Sequence, residues 1–415
     1  MKIAIIGSGI SGLSAAFYLS KKHNVDLFEK EDHFGGHAHT IDLKIDDIEK
    51  KSIPIDVGFI VFNYLTYPNL INFFNENNVE IEKSNMSFSV TSQKQEIEYC
   101  GKGLDGIFSN RKNILNLKFL RMFFEIINFY KKSSKISLLD KKQTLGDYLE
   151  KQKLSKYFIN YHIIPMVAAI WSMPPYEASQ MPLTFFLKFF QNHGLFKLSN
   201  RPQWYTVKNR SRTYVNKILK NISGEYYKNY EIKKIKRGES NVRIFYGDKN
   251  EFFDYDKVVM ATHADEALSL IENPTNDEKQ ILSKFKYKKN TAYIHSDSNV
   301  MPKNIKTWSA WNSNIDLNNL NNTSITYWLN LLQNLKVKRN IFLTLNPFLK
   351  INEDKVFKKI TFTHPYYDLD ALENQKLLKK LQNQKNLLFC GGYFGYGFHE
   401  DGIKSTIEMM NYLND

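Results

Sequence analysis

Lys2-Ile3-Ala4-Ile5-Ile6-Gly7-Ser8-Gly9-Ile10-Ser11-Gly12, followed by Val25-Asp26-Leu27-Phe28-Glu29, are the residues from which the fold is read. The apolar run 2–6 predicts a buried parallel strand, residues 11–21 a helix and residues 25–29 a second strand, together a βαβ unit. In the turn between strand and helix, each glycine of G-x-G-x-x-G has a physical task. Gly7 makes the tight turn, Gly9 lets a diphosphate approach the backbone, and Gly12 lets the helix pack on the strand. The free N–H groups of the helix start, with Ser11 among its first residues, then face the phosphates. Glu29 closes the second strand, where a carboxylate accepts from both ribose hydroxyls and repels a 2′-phosphate. The expectation is a bound adenine dinucleotide. A signal peptide is the competing reading of residues 3–19, but the glycine turn interrupts the run and no small-residue cleavage site follows.

The rest of the composition fits this start. A chain of 415 residues has room for two to three domains at roughly 150 residues each, which excludes a peptide, a disulfide knot or a fibre. Hydrophobic residues make up 42% and charged residues 24%, the balance of a globular protein tilted toward Phe and Tyr. A net charge of +14 calls for an anionic partner: nucleic acid, anionic lipid or an anionic cofactor. Cys100 and Cys390 are far apart, with neither metal-ligand nor disulfide-framework spacing, so no metal site is expected. No run reaches the ~18 uncharged apolar residues of a membrane span. The expected location is cytoplasmic, with a peripheral position on the inner face of the cytoplasmic membrane open to it. Only 19 glycines are present, and they crowd at the two ends, Gly7 to Gly58 and Gly391 to Gly402. Such residues serve positive φ or close backbone approach, so the two ends are expected to meet around one ligand.

Directly past the ribose-binding strand comes His33-Phe34-Gly35-Gly36-His37-Ala38-His39-Thr40, a second glycine pair. An NAD enzyme has no use for it, whereas an extended FAD runs its diphosphate and flavin past this loop. Here the sequence resembles the flavin-containing amine oxidase and phytoene desaturase superfamily, whose signature continues from the acidic residue to a G-G-x-x-x-T/S element. The resemblance implies FAD contacts from Gly35, Gly36, His37 and Thr40. It departs at His33, where the superfamily carries arginine near the phosphates.

Residues 56–63 are expected to form a strand leaving the cofactor domain. Beyond them the chain is aromatic, Lys-rich and nearly free of glycine, with helices expected near 68–77, 113–130, 145–161 and 183–191. Between positions 111 and 135 lie Arg111, Lys112, Lys118, Arg121, Lys131, Lys132 and Lys135 against the single acid Glu125, interleaved with Leu117, Leu120, Phe124 and Ile127 at helical spacing. That is the pattern of an interfacial membrane helix, or of a core helix with a solvated basic side. Leu183-Thr184-Phe185-Phe186-Leu187-Lys188-Phe189-Phe190 is either core or the lining of an apolar tunnel. Nucleic acid is excluded as the partner, since neither a helix-turn-helix, zinc ligands nor an RNA-recognition aromatic motif is present.

After residue 204 the chain returns to the cofactor domain. Three short strands, 231–236, 242–246 and 257–262, are expected as a meander, and the resemblance places an adenine contact on Ile232 and weaker flavin neighbours at Lys208, Ser211 and Arg212. Leu387-Leu388-Phe389-Cys390-Gly391-Gly392 reads as a strand ending in glycines, with Cys390 buried. Tyr393-Phe394-Gly395-Tyr396-Gly397-Phe398-His399-Glu400-Asp401-Gly402 then leads into a helix from Ile403. Its free N–H groups suit the pyrimidine edge of a flavin, giving Gly392, Gly402 and Ile403 as cofactor contacts. His399 and Tyr396 are the candidate catalytic residues facing the ring, with Glu400 and Asp401 to orient the imidazole.

Gly35 to Thr40, Arg201-Pro202-Gln203-Trp204, Thr326 to Gln333, Thr344 to Pro347 and Gly395 to Gly402 narrow the likeness. They resemble a bacterial family of FAD-dependent oxidoreductases associated with cyclopropane-type fatty-acid methyltransferases. The resemblance implies a Rossmann-like α/β FAD-binding domain of the amine oxidase type, with an inserted α+β substrate domain. The cofactor domain is expected from 1–63, 205–265 and 376–415, and the substrate domain, with possible membrane-facing helices, from 64–204 and 266–375. The implied activity is desaturation or dehydrogenation of a methylated or unsaturated phospholipid acyl chain by hydride transfer to flavin N5. The partners are then that acyl chain and an anionic membrane surface, and the oligomeric state is open. An amine oxidase and a non-redox flavin isomerase or hydratase are the alternatives.

Overall fold

The computed structural model describes residues 1–45, 52–92, 97–133, 136, 142–248, 251–316, 318–319 and 322–413. Lys135 of the basic segment lies outside them.

The apolar run at the N-terminus forms strand Lys2–Ile6, and helix Ile10–Leu19, with no charged residue, is buried at every position but Tyr18. Strand Asn24–Phe28 completes the unit. Five parallel strands then build one sheet in the order Tyr226–Tyr227, Asn24–Phe28, Lys2–Ile6, Lys257–Met260, Leu387–Phe389. The beginning, middle and end of the chain therefore lie side by side, with Ile5 paired to Leu27 on one flank and Val259 on the other. The last helix, His399–Met410, packs on the first. A Cβ on Gly402 would sit 2.7 Å from Ser11 Oγ, and the Ser14 hydroxyl donates to Thr406 Oγ1 at 3.1 Å.

A three-stranded antiparallel meander, Ile232–Arg237, Val242–Tyr246 and Glu251–Tyr255, stands beside this sheet. The expected third strand, 257–262, belongs instead to the parallel sheet. The chain turns at Asp256, whose N–H donates to the Lys2 carbonyl at 2.9 Å and so hands the backbone to a new partner.

A seven-stranded mixed sheet runs in the order Val356–Tyr366, Lys286–His295, Phe342–Leu345, Thr323–Trp328, Trp311–Ile315, Phe88–Ser92, Glu98–Cys100. Helix Ile164–Trp171 packs on it, whereas helix Pro68–Glu76 packs on the last helix, His399–Met410. The helix expected over 145–161 is broken into Leu145–Lys151, Lys156–Phe158, a π-turn Ile159–Ile163, and Ile164–Trp171. Ser155 recaps the chain by accepting from Phe158 N, and Pro165 opens the last piece. Nor do residues 56–63 form one strand. Ser52–Asp56 pairs with Thr40–Lys44, residues 57–61 cross as a loop, and only Phe62–Asn63 is extended again. The cause is Gly58, which lies so close to His37 that a Cβ would fall 2.2 Å from its carbonyl oxygen, while Phe59 N–H donates to that same oxygen.

Candidate cofactor and substrate cavity

A cavity of about 900 Å³ opens between the parallel sheet, the loop after the second glycine pair, the C-terminal glycines and the seven-stranded sheet. Gly7 has φ +98°, and a Cβ there would meet Ala261 O at 2.8 Å. A Cβ on Gly12 would lie 1.9 Å from Gly7 O. Both glycines are therefore fixed by packing. Gly9 is different: a Cβ on it would meet nothing within 4 Å, so it borders open space at the helix start. Gly36, at φ +56°, closes over it, and a Cβ on Gly36 would sit 3.0 Å from Gly9 Cα.

Glu29 is buried and tightly held. One oxygen accepts from Ser8 N–H at 3.0 Å and from the Ser8 hydroxyl at 2.5 Å, and the other accepts from Glu31 N–H at 3.0 Å. A carboxylate has about four acceptor positions, so at least one stays open to a ligand hydroxyl. Tyr230, Glu231, Ile232 and Glu266 complete this end of the cavity.

Histidines gather at the middle. His37 lines the cavity with no partner for Nε2, and burial, reinforced by the neighbouring His364, holds its pKa well below the usual imidazole value. His33 stacks on His39 at 3.8 Å and lies 3.0 Å from Asp32, and burial pushes His39 down to about 4. The C-terminal segment supplies Gly391, Gly392, Tyr393, Tyr396, Gly397, Phe398 and His399. The Tyr393 hydroxyl is buried without a partner and stays protonated, its pKa raised by burial. His399 lies flat on Phe59 with ring centroids 3.7 Å apart, its Nε2 3.3 Å from the Tyr214 hydroxyl, and burial drives its pKa to about 3.

The far end is aromatic and aliphatic. Phe189 stacks on His193 at 3.8 Å, packs against Phe398 at 5.3 Å and meets Trp171 at 4.5 Å. Tyr67, Trp204, Ile170, Tyr327, Leu343 and Leu345 join them. The acids that line the cavity are Glu29, Glu31 and Asp32 at the end of the second strand, Glu231 beside the meander and Glu266 in helix Ala264–Leu270. Among the described residues the apolar arm has none. It does have His193, whose Nδ1–H donates to the Phe189 carbonyl at 2.9 Å, leaving Nε2 as the lone-pair nitrogen.

Gly7, Gly9, Ser11, Glu29, Gly36, His37, Ile232, Gly392, Tyr396 and His399 are thus brought together on one cavity wall system. Gly12, Gly35, Thr40, Gly402 and Ile403 lie behind it. The Thr40 hydroxyl donates to Asp56 at 2.6 Å and accepts from Arg212 N–H, so it is spent on the hairpin. Gly35 N–H is held by Ser8. Helix His399–Met410 begins four residues earlier than expected, so Gly402 N–H already donates to Phe398 O, and Ile403 is fully buried core. The groups without an intrahelical acceptor are those of His399, Glu400 and Asp401. Glu400 and Asp401 do not orient the imidazole. Glu400 accepts from Asn69 and Leu70 N–H groups at the start of helix Pro68–Glu76, and Asp401 accepts from Phe398 N–H at 2.9 Å. Ser211 and Arg212 are turned to Asp56 and Asp42, and Lys208 to Glu80. His193 and His364 gave no local sequence signal and arrive through tertiary contacts, whereas Phe59 comes from the 56–63 run and Tyr327 from the 326–333 stretch.

The cavity fits an FAD. Gly9 leaves the cradle a diphosphate needs, Glu29 keeps an acceptor free, and the unpartnered His37 Nε2 and Tyr393 hydroxyl lie further along the cavity, both buried polar atoms awaiting a partner.

Residues 5–76 match the model of the NAD(P)-binding Rossmann-like domain. A stretch of 43 residues is 56% identical to 1-hydroxycarotenoid 3,4-desaturase of Flavobacterium sp. (strain P99-3), covering 10% of this chain and 9% of that one. Solved structures align over the whole length. The CLA-producing fatty acid isomerase of P. acnes has a TM-score of 0.67 at 13% identity, over 99% of this chain and 97% of that. Putrescine oxidase bound to putrescine gives 0.70 at 12% over 100% of both. Cyclohexylamine oxidase from Brevibacterium oxydans IH-35A gives 0.65 at 15%, over 100% and 99%. The fold is the mixed α/β, Rossmann-like architecture of flavin amine oxidase-type proteins.

Proposed function

We propose that this protein is an FAD-dependent oxidoreductase that dehydrogenates a long acyl chain, methylated or unsaturated, of a phospholipid. The observation that carries the substrate class is the apolar arm. A protonated amine buried there would lack a carboxylate, and an unpaired buried charge costs several kcal/mol. A hydrocarbon chain against Trp171, Phe189, Tyr327, Leu343 and Leu345 instead gains ~0.8 kcal/mol per buried CH₂.

Bound FAD supplies an acceptor for the electron pair of a C–H bond. The residues of the chain position and desolvate. Gly9, Gly36 and Glu29 hold the dinucleotide end, and the aromatic walls keep water from the reacting carbon. His399, neutral and pinned between Phe59 and Tyr214, shapes the wall beside Tyr396. His193 Nε2 is the acceptor for the proton on the adjacent carbon, its tautomer set by the Phe189 carbonyl. The likeness in fold to the CLA-producing fatty acid isomerase supports a second reading in which the same acyl chain is isomerised with no net redox change.

Acyl-chain profiling of membranes from cells with and without the protein tests the reading. It predicts new unsaturation in the presence of the protein; identical lipid profiles refute it.

A further inference from the structure

Among the described residues, large apolar side chains left in solvent concentrate on one surface away from the cavity. Leu115 is 87% exposed, Leu117 80% and Phe124 65%, with Leu104 and Ile114 exposed beside them. Leu104 lies in the short helix Gly103–Ile107, Ile114 ends the turn Arg111–Ile114, Leu115 follows it, and Leu117 and Phe124 belong to helix Leu117–Lys132. That helix has two faces. Phe119, Met122, Phe129 and Tyr130 are buried, and on the opposite side the 3.6-residue period puts Leu117, Arg121, Phe124, Asn128 and Lys131 on one stripe, flanked by Lys118 and Lys132. The core role is thus met by one face, and burial of that face leaves Leu117 and Phe124 unexplained.

Charge identifies the occupant. Between positions 102 and 132 stand Lys102, Arg111, Lys112, Lys118, Arg121, Lys131 and Lys132, against Asp105 and Glu125. Both acids are already engaged, Asp105 with Arg111 at 2.8 Å and Glu125 with Arg121 at 3.0 Å. Apolar tips set among lysines match the boundary between anionic headgroups and acyl tails. A second copy of the chain fits poorly, because a self-complementary contact would oppose the two lysine rims. Nucleic acid would leave the leucines and Phe124 unburied.

We propose that this face docks on an anionic lipid bilayer, seating Leu115, Leu117 and Phe124 at the headgroup boundary. The inference rests on the acyl-lipid reading of the cavity for its purpose and on the exposed face for its location. The two are physically linked: Phe129 and Tyr130, on the buried side of the helix, pack against Phe196, whose neighbour Leu195 lines the apolar arm.

The test is co-sedimentation of the full-length, FAD-loaded protein with vesicles of phosphatidylcholine alone or mixed with phosphatidylglycerol. Binding is expected on the mixed vesicles and is expected to weaken with salt. The variant Leu115→Ser/Leu117→Ser/Phe124→Ser should lose at least about tenfold in partitioning at unchanged melting temperature, since it changes exposed positions only. Its turnover of detergent-dispersed phospholipid should equal that of the unaltered protein. Equal vesicle binding by the two proteins overturns the docking face, as does an apolar face that drives concentration-dependent dimerisation abolished in the variant. Absence of detergent-dispersed turnover in both proteins, with the vesicle difference intact, removes the acyl-lipid reading and leaves the docking face standing.

Discussion

Replacing Gly9 by Val separates cofactor binding from folding. Gly9 has φ −61° and ψ −179°, an extended conformation any residue adopts, and a Cβ there meets nothing within 4 Å. The folded apoprotein should therefore accept the side chain with a stability change within about 1 kcal/mol, the scale of an N-cap or backbone-entropy effect. The same space is where a diphosphate approaches the helix N–H groups. Losing one or two charge-assisted hydrogen bonds, at about 1.5–3 kcal/mol each, weakens FAD by at least about tenfold and up to roughly 10⁴-fold. Gly12→Ala is the contrast, because its Cβ would lie 1.9 Å from Gly7 O and the helix must shift off the strand. The assay is titration of apoprotein with FAD by flavin fluorescence, with thermal melting of each apoprotein alongside. Tight FAD binding by the Gly9→Val protein refutes the placement of the diphosphate; a collapse of its melting temperature refutes the claim that the space is open.

Other outcomes follow from the same geometry. Glu29→Gln keeps shape but gives up charge, so FAD affinity should fall by about tenfold, one charged hydrogen bond, when measured by the same titration. His193→Ala should lower the rate of acyl turnover without changing FAD binding; an unchanged rate removes Nε2 as the proton acceptor. His162 is buried between the Tyr99 and Tyr130 hydroxyls, and burial holds its pKa at about 3. Its unfolded value of about 6.5 is higher, so its contribution is present above that pH and is lost as pH falls, by about 2 kcal/mol at pH 5. His162→Gln should flatten the acid side of the melting-temperature profile, and an unaltered slope contradicts the assignment. Cys390 is fully buried, its thiol pushed up to about 12, so iodoacetamide should label it only after denaturation.

The dinucleotide half was legible in the sequence because its signals are local. The first strand, the glycine turn and Glu29 lie within one βαβ unit, and backbone geometry dictates each residue. The C-terminal glycines were legible for the same reason, and the crowding of glycine at the ends foretold the shared cavity. Where the prediction slipped, tertiary contacts decided. Thr40 satisfies a motif yet is consumed by Asp56, and Ile403 faces the core because the last helix starts at His399. The helix expected over 145–161 broke because Ser155 offered a new cap. The apolar arm was legible only at Phe189, from the 183–190 run expected as core or tunnel lining, since Trp171, His193, Tyr327 and Leu345 come from separate segments that meet only once the seven-stranded sheet is in place.

The most direct measurement is anaerobic mixing of the FAD-loaded protein with detergent-dispersed phospholipid, following the oxidised flavin band and the acyl chains together. The account predicts bleaching of the flavin accompanied by an equivalent amount of newly unsaturated chain. Bleaching by a polyamine and not by phospholipid would contradict it, as would altered acyl chains with the flavin still oxidised.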